Sequence, residues 1–160
     1  MGVGKTTACR QLQQLLDRSV FLDGDWCWDA HPFQVTEETR EMVLENIAFL
    51  LNSFLRCSAY DHVIFCWVLH RREIWADLLR RLTEPYALRA VSLVCTPEAL
   101  RARLEGDIRA GVRQPDAVDR SLAYLPLYDA LDVRRLDVTA LTPRAAAERI
   151  LADTEKEREP

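Results

Sequence analysis

Four residues near the start of the chain, Gly4-Lys5-Thr6-Thr7, have the types and the order that hold a phosphate chain. They are the second half of the pattern G-x-x-x-x-G-K-[ST]. Glycine lets backbone N–H groups turn inward around a di- or triphosphate with no Cβ in the way. Gly2, Val3, Gly4, Lys5, Thr6 and Thr7 are therefore the candidate ATP-binding residues. Lys5 would bring a positive charge to the β- and γ-phosphates, and the Thr6 hydroxyl would sit on Mg²⁺. The helix that follows would aim its positive end at the same phosphates. The pattern is incomplete: its first glycine would lie five positions before Gly4, ahead of Met1. The strand that feeds such a loop is missing too. Either the chain was cut, or its start was assigned too late, or the protein lacks this strand. The competing reading is a chance Gly-Lys-Thr-Thr.

A second set of chemical groups is Asp23-Gly24-Asp25, turn chemistry with two carboxylates at the end of a short apolar run, Ser19 to Asp23. Asp25 is the candidate for orienting an acceptor hydroxyl or holding Mg²⁺, and Asp23 is the second choice. The alternative is an ordinary acidic turn. Trp26, Trp28, His31 and Phe33 follow in a segment with no clear period that contains Pro32. Their rings suit a planar acceptor, or else they cover a core edge. His62 begins a strand and reads as structural. His70 lies at the end of one, where a lone histidine is more often a satisfied surface group than a base.

The elements that must position these groups are legible as periods. Ala8, Leu12, Leu15 and Leu16 share one helical face over residues 5–17. Thr36 can cap a helix with Glu37 and Glu38 in its first turn and a stripe of Val43, Ile47, Leu50, Leu51 and Phe54. Residues 62–69 are a continuous apolar run that fits a strand covered on both faces. A helix is expected over 71–83 and a strand over 90–95. Thr96-Pro97-Glu98 then caps a helix carrying Leu100, Leu104 and Ile108, interrupted at Gly111. Pro115 opens a further helix that Pro126 stops. A last strand, 133–138, precedes a helix capped by Thr142-Pro143 and running to about Thr154. Residues 154–160 read as a frayed, charged tail. Strand and helix alternate, which argues for an α/β domain with a mostly parallel sheet. Ligands of such sheets lie beyond the carboxyl ends of the strands, which groups the phosphate loop, Asp23 and Asp25, and His70 with Arg71.

The totals exclude several classes. At 160 residues one domain is expected, long enough to bury a core. A net charge of −4 disfavours general nucleic-acid binding. The five scattered cysteines form no C-x-x-C pair and suit reduced thiols in a cytoplasmic protein. No stretch is long and apolar enough to span a membrane, and the N-terminus carries no basic-then-apolar signal.

With loop, acidic turn and an arginine-rich segment in view, the chain resembles the P-loop small-molecule kinases. These include shikimate kinase, gluconate kinase, adenylylsulfate kinase, chloramphenicol phosphotransferase and the nucleoside monophosphate kinases. It looks most like a bacterial group described as AAA-family ATPases or nucleotide-kinase-like proteins. The stretches that suggest it are Phe21-Leu-Asp-Gly-Asp-Trp-Cys-Trp28, Ile64-Phe-Cys-Trp67 and Arg120-Ser-Leu-Ala-Tyr-Leu-Pro-Leu-Tyr128. The resemblance implies a P-loop NTPase three-layer sandwich with its first, central strand absent from this chain, leaving a gap in the sheet or strands closed over it. It implies residues 1–153 as one kinase-like domain with a lid at about 105–120. It implies ATP and Mg²⁺ as cofactors and a small-molecule acceptor as partner. Arg109 and Arg113, flanking Gly111, would act on the transferred phosphoryl, and Arg103 and Arg120 would help bind ATP. Asp23, Trp26, Trp28 and His31 would line the acceptor site. The alternative for the arginines is a solvated helix face neutralised by Glu105 and Asp107. The turn around Asp137-Val-Thr139 and Leu141-Thr-Pro143 resembles the one that borders the adenine. One departure stands out: Cys66 and Trp67 occupy the strand end where many P-loop proteins carry a second acidic metal contact. A nucleotide-binding protein without phosphotransfer, or a kinase of nucleic-acid ends, are the rival functions.

Overall fold

The computed structural model describes residues 2–156. In chain order the elements are α1 Lys5–Leu15, β1 Ser19–Asp23, a 3-10 turn Gly24–Trp28, α2 Glu37–Arg56, β2 His62–Cys66, α3 Arg72–Arg80, β3 Val91–Val94, α4 Pro97–Arg109, α5 Ala117–Ala123, a second 3-10 turn Leu125–Ala130, β4 Arg134–Asp137 and α6 Pro143–Lys156. All strand pairing is parallel, as the alternation of elements predicts. The strands form two separate two-stranded sheets, β1–β2 and β3–β4. The chain divides into two compact units, residues 13–88 and residues 1–12 with 89–160.

In the unit of residues 13–88, β1 and β2 pair from Ser19 opposite His62 to Asp23 opposite Cys66. The apolar run over 62–69 gives a strand of only five residues, because β1 turns away after Asp23 and leaves β2 no partner beyond Cys66. Leu22 is buried with Val43, Leu44, Ile47, Ala48 and Leu51 of α2 and Leu78 of α3. The α2 positions recur at helical spacing, so one face turns inward. The helix starts where expected: Thr36 Oγ1 accepts from the Thr39 N–H at 3.1 Å, and Thr39 Oγ1 accepts from the Thr36 N–H at 2.9 Å. α1 stops at Leu15, two residues earlier than its apolar pattern suggests. Arg18 then takes a left-handed φ of 47° and its carbonyl accepts from the Asp61 N–H at 2.8 Å.

α3 is fastened to α2 by polar groups. Asn52 donates to the Arg81 carbonyl at 2.9 Å and accepts from the Thr83 N–H at 2.8 Å, so it caps the end of α3. Arg81 grips both oxygens of Glu41 at 2.7 and 2.8 Å and reaches Asp77 at 3.1 Å. The bond from Arg81 holds the Glu41 carboxyl below the ordinary glutamate value. A depressed folded-state value gives stability that is present above the unfolded value and is lost as pH falls through the folded one. Glu41→Gln is therefore expected to lower the melting temperature slightly at pH 7. The gap to wild type should close below about pH 4. A gap that persists at pH 3 would assign the effect to packing rather than charge.

In the other unit, β3 and β4 pair from Val91 opposite Arg134 to Val94 opposite Asp137, and the Val138 N–H continues the ladder to the Val94 carbonyl at 2.8 Å. Ala8, Cys95, Leu100, Leu104, Val118, Leu136, Val138 and Ala146 form its core. Thr96 caps α4 by accepting from the Ala99 N–H, with Pro97 at the first helical position, and Thr142 does the same for α6 through Ala145. Pro126 does not stop a helix. α5 ends at Ala123, and Pro126 sits in the opening of the second 3-10 turn, where a missing N–H has no ladder partner to lose. α6 runs to Lys156, so the segment expected to fray from Thr154 is helical there; residues 157–160 lie outside the described residues.

Candidate active site

The phosphate loop has the backbone its sequence calls for. Gly2 and Gly4 take φ of 73° and 94°, a region that only glycine enters without strain. The two glycines serve different ends. A Cβ on Gly2 would lie 2.5 Å from Leu104 Cδ2, so the loop begins pressed onto α4. A Cβ on Gly4 would meet nothing within 4 Å, so that side of the loop is open. The Gly4 carbonyl accepts from the Ala8 N–H at 2.9 Å and starts the α1 ladder. The first N–H groups of α1 precede that ladder, and its first turn holds no acidic residue. Its positive end is thus uncompensated by the helix itself. Thr6 and Thr7 are exposed there, and Lys5 is half-buried.

Arg103, expected over ATP, spends its guanidinium differently. Nη1 donates to the Val3 carbonyl at 3.2 Å, and Nη2 donates to the carbonyls of Val138 at 2.7 Å and Thr139 at 3.1 Å. The turn it holds is braced from the other side. Asp137 Oδ1 accepts from the Thr139 N–H at 2.8 Å, and Thr139 Oγ1 accepts from the Thr96 N–H at 3.0 Å. The bonds from Thr139 hold the Asp137 carboxyl below its ordinary range, with the Arg103 charge adding to them. Of the other arginines, Arg113 pairs with Asp107 at 2.8 Å and Arg120 with Asp116 at 3.2 Å. Arg109 is exposed at the last turn of α4. Gly111, with φ 72°, closes that helix by donating to the Ile108 carbonyl.

The acidic turn lies in the unit of residues 13–88. Asp23 is buried, at 5% exposure, and its Oδ1 accepts from the Asp25 N–H at 3.1 Å. It thereby caps the 3-10 turn and leaves the Asp25 side chain exposed to solvent. Gly24 is needed for close approach: a Cβ there would fall 2.5 Å from Trp67 Cγ. The strand end that lacks an acid thus serves as the seat of the acidic turn. Trp26 packs edge-on to Phe21 with centroids 5.2 Å apart and remains half exposed, while Trp28 and Phe33 pack with centroids 4.9 Å apart and rings tilted by 46°. His31 is exposed, next to a cis bond to Pro32. Burial, with the Asp23 charge, pushes the Cys27 thiol up. Burial and the neighbouring Arg71 charge push His70 below its ordinary value. The three carbonyl bonds of Arg103 and the Gly24–Trp67 contact were not readable from the sequence, since neither leaves a local signal.

For Mg²⁺ each unit carries hard oxygen donors of its own, the Thr6 hydroxyl in one and the carboxylates of the acidic turn in the other. Among the described residues no group of three His, Cys, Asp or Glu forms a cage. Mg²⁺ commonly needs none, since it keeps waters and takes phosphate oxygens.

The arrangement of parallel strands, glycine loop and following helix is that of a P-loop NTPase. Solved structures of the same fold include a sugar kinase from Janibacter sp., with a TM-score of 0.67 and 21% identity over 96% of this chain and 89% of that one. A gluconokinase from Sinorhizobium meliloti gives 0.63 and 19% over 100% and 93%. The tunicamycin resistance protein of Deinococcus radiodurans gives 0.62 and 17% over 92% and 89%. No curated protein matches the chain. The family model of the AAA domain matches residues 1–120, and the chain belongs to that family. Among the described residues no helix is long and apolar enough to cross a membrane.

Proposed function

We propose that the protein is an ATP- and Mg²⁺-dependent phosphotransferase that moves the γ-phosphoryl of ATP to a hydroxyl of a small, ring-bearing or nucleotide-like acceptor. The observation that carries this reading is the glycine loop, open at Gly4, running into a helix whose own first turn carries no acid. Phosphoryl transfer is mainly positioning and charge neutralisation. The N–H groups of the loop and Lys5 bind the phosphates, with the turn at Asp137–Thr139 bordering the base. Asp25 accepts the proton of the acceptor hydroxyl as it attacks. Arg109, exposed and in no ion pair among the described residues, is the first of the lid arginines to reach the migrating group; Arg113 and Arg120 would have to leave Asp107 and Asp116 to join it. Trp26, Trp28 and His31 bind the acceptor beside Asp23. Thr6 and Asp25 are the candidate donors to Mg²⁺, which would supply charge neutralisation on the phosphates. Residues 1–153 form the kinase-like domain, with 105–120 as its lid. Free cysteines suit a reducing, cytoplasmic setting.

The test is ADP release from ATP and Mg²⁺ across a panel of nucleosides, ring alcohols, sugars and sugar acids, the last two added because of the gluconokinase and sugar kinase of the same fold. Release that depends on one acceptor supports transfer. ATP binding with no release on any acceptor favours the second reading, a nucleotide-binding protein without transfer, which the Cys66–Trp67 strand end supports.

A further inference from the structure

We infer that Arg103 is a positioning residue that locks the phosphate loop to the turn at residues 137–139, so that the phosphate chain and the nucleoside are recognised as one unit. The inference rests on the reading of loop and turn as the nucleotide site. Its basis is the three carbonyls on one guanidinium, from residues 100, 35 and 36 positions away in sequence. The fork of an arginine suits this; a lysine ammonium is a point charge and cannot span the same separation with fixed geometry.

The bond to Val3 fixes more than a carbonyl. In a trans peptide the C=O of one residue and the N–H of the next point in opposite directions. Turning the Val3 carbonyl toward Arg103 therefore turns the Gly4 N–H away from it. A carbonyl free to swing into the loop would repel an anion, and Arg103 removes that option. The grip is reinforced by neighbours one helical turn apart. Leu100 and Leu104, both nearly fully buried, bear on Gly2 from the same face of α4 that carries Arg103. At the other end the turn cannot yield alone, because Asp137 and Thr96 hold Thr139. A shift of the turn must therefore pull on Arg103, and through it on Val3. Two binding regions joined by a shared, directional tie have a coupling free energy, which acts equally in both directions.

The experiment measures that coupling with two fragments, tripolyphosphate and adenosine, on wild type, Arg103→Met and Arg103→Lys. In wild type, saturating adenosine is expected to tighten tripolyphosphate binding by about tenfold, within the usual range for coupled sites. In Arg103→Met the factor should fall to about one, and ATP affinity should drop by about tenfold or more. Arg103→Lys keeps the charge and the stem, and serves if the Met variant does not fold. It should recover part of the tripolyphosphate affinity but not the coupling. Amide exchange without ligand should quicken at residues 3–5 and 138–141 in both variants. A general loss of stability would weaken both fragments yet leave the factor between them unchanged. If wild type binds both fragments and the factor is the same in all three proteins, the linkage is wrong and the nucleotide reading stands. Full coupling in Arg103→Lys also overturns it, since charge alone would then suffice. Wild type that binds neither fragment sinks the nucleotide reading, and the linkage with it.

Discussion

Lys5→Ala is expected to fold normally and to lose turnover by at least a hundredfold, with ATP binding weakened. Lys5 is the first residue of α1, and alanine is the better helix former, so the helix itself loses nothing. What is lost is a positive charge at the mouth of an open glycine loop. A preorganised group aimed at developing charge is commonly worth a factor of about 10²–10³ in rate. The loop N–H groups remain, so residual ATP binding is expected. Thermal unfolding, ATP titration and acceptor-dependent ADP release together check this. Unchanged turnover in a folded variant would remove Lys5 from the chemistry and return Gly-Lys-Thr-Thr to coincidence.

Asp25→Asn should separate chemistry from binding in the same assays. The Asp25 backbone N–H holds the turn through Asp23, whereas its side chain is exposed, so the substitution leaves the turn intact. An amide cannot take the acceptor proton. General-base catalysis typically contributes about 10²–10⁴-fold, and kcat should fall by that order, while ATP affinity measured without Mg²⁺ stays near wild type. Asp23→Ala is the contrasting case. That carboxylate is buried and caps the 3-10 turn, so its removal should cost about 1 kcal/mol of stability before any question of rate. If Asp25→Asn turns over normally, the acceptor hydroxyl is oriented by another group.

Much of this was legible because it is local. Thr36, Thr96-Pro97 and Thr142-Pro143 each cap the helix they precede, since capping involves residues three apart. The glycine loop was legible because left-handed φ selects glycine. What depends on distant partners was not. An apolar run shows that 62–69 can be a strand, but only the point where β1 turns away decides that it ends at Cys66. An arginine at 103 reads as one more cation on a helix; that it meets Val3 is a property of the folded chain. The need for glycine at 24 exists only because Trp67 packs against it. Pro126 reads as a stop, yet proline is equally at home where a 3-10 turn begins.

The tie between Val3 and Arg103 also sets an order of events for a chain that is made from its N-terminus. Val3 must wait for a partner made 100 positions later, and the same side chain waits for Val138. The pair β1–β2 is complete once Cys66 has been made. The nascent protein can therefore complete one of its sheets while its phosphate loop is still without its clamp. Domains usually fold as their residues emerge, so this chain should acquire its full grip on a nucleotide only after residues 138 and 139 have been made.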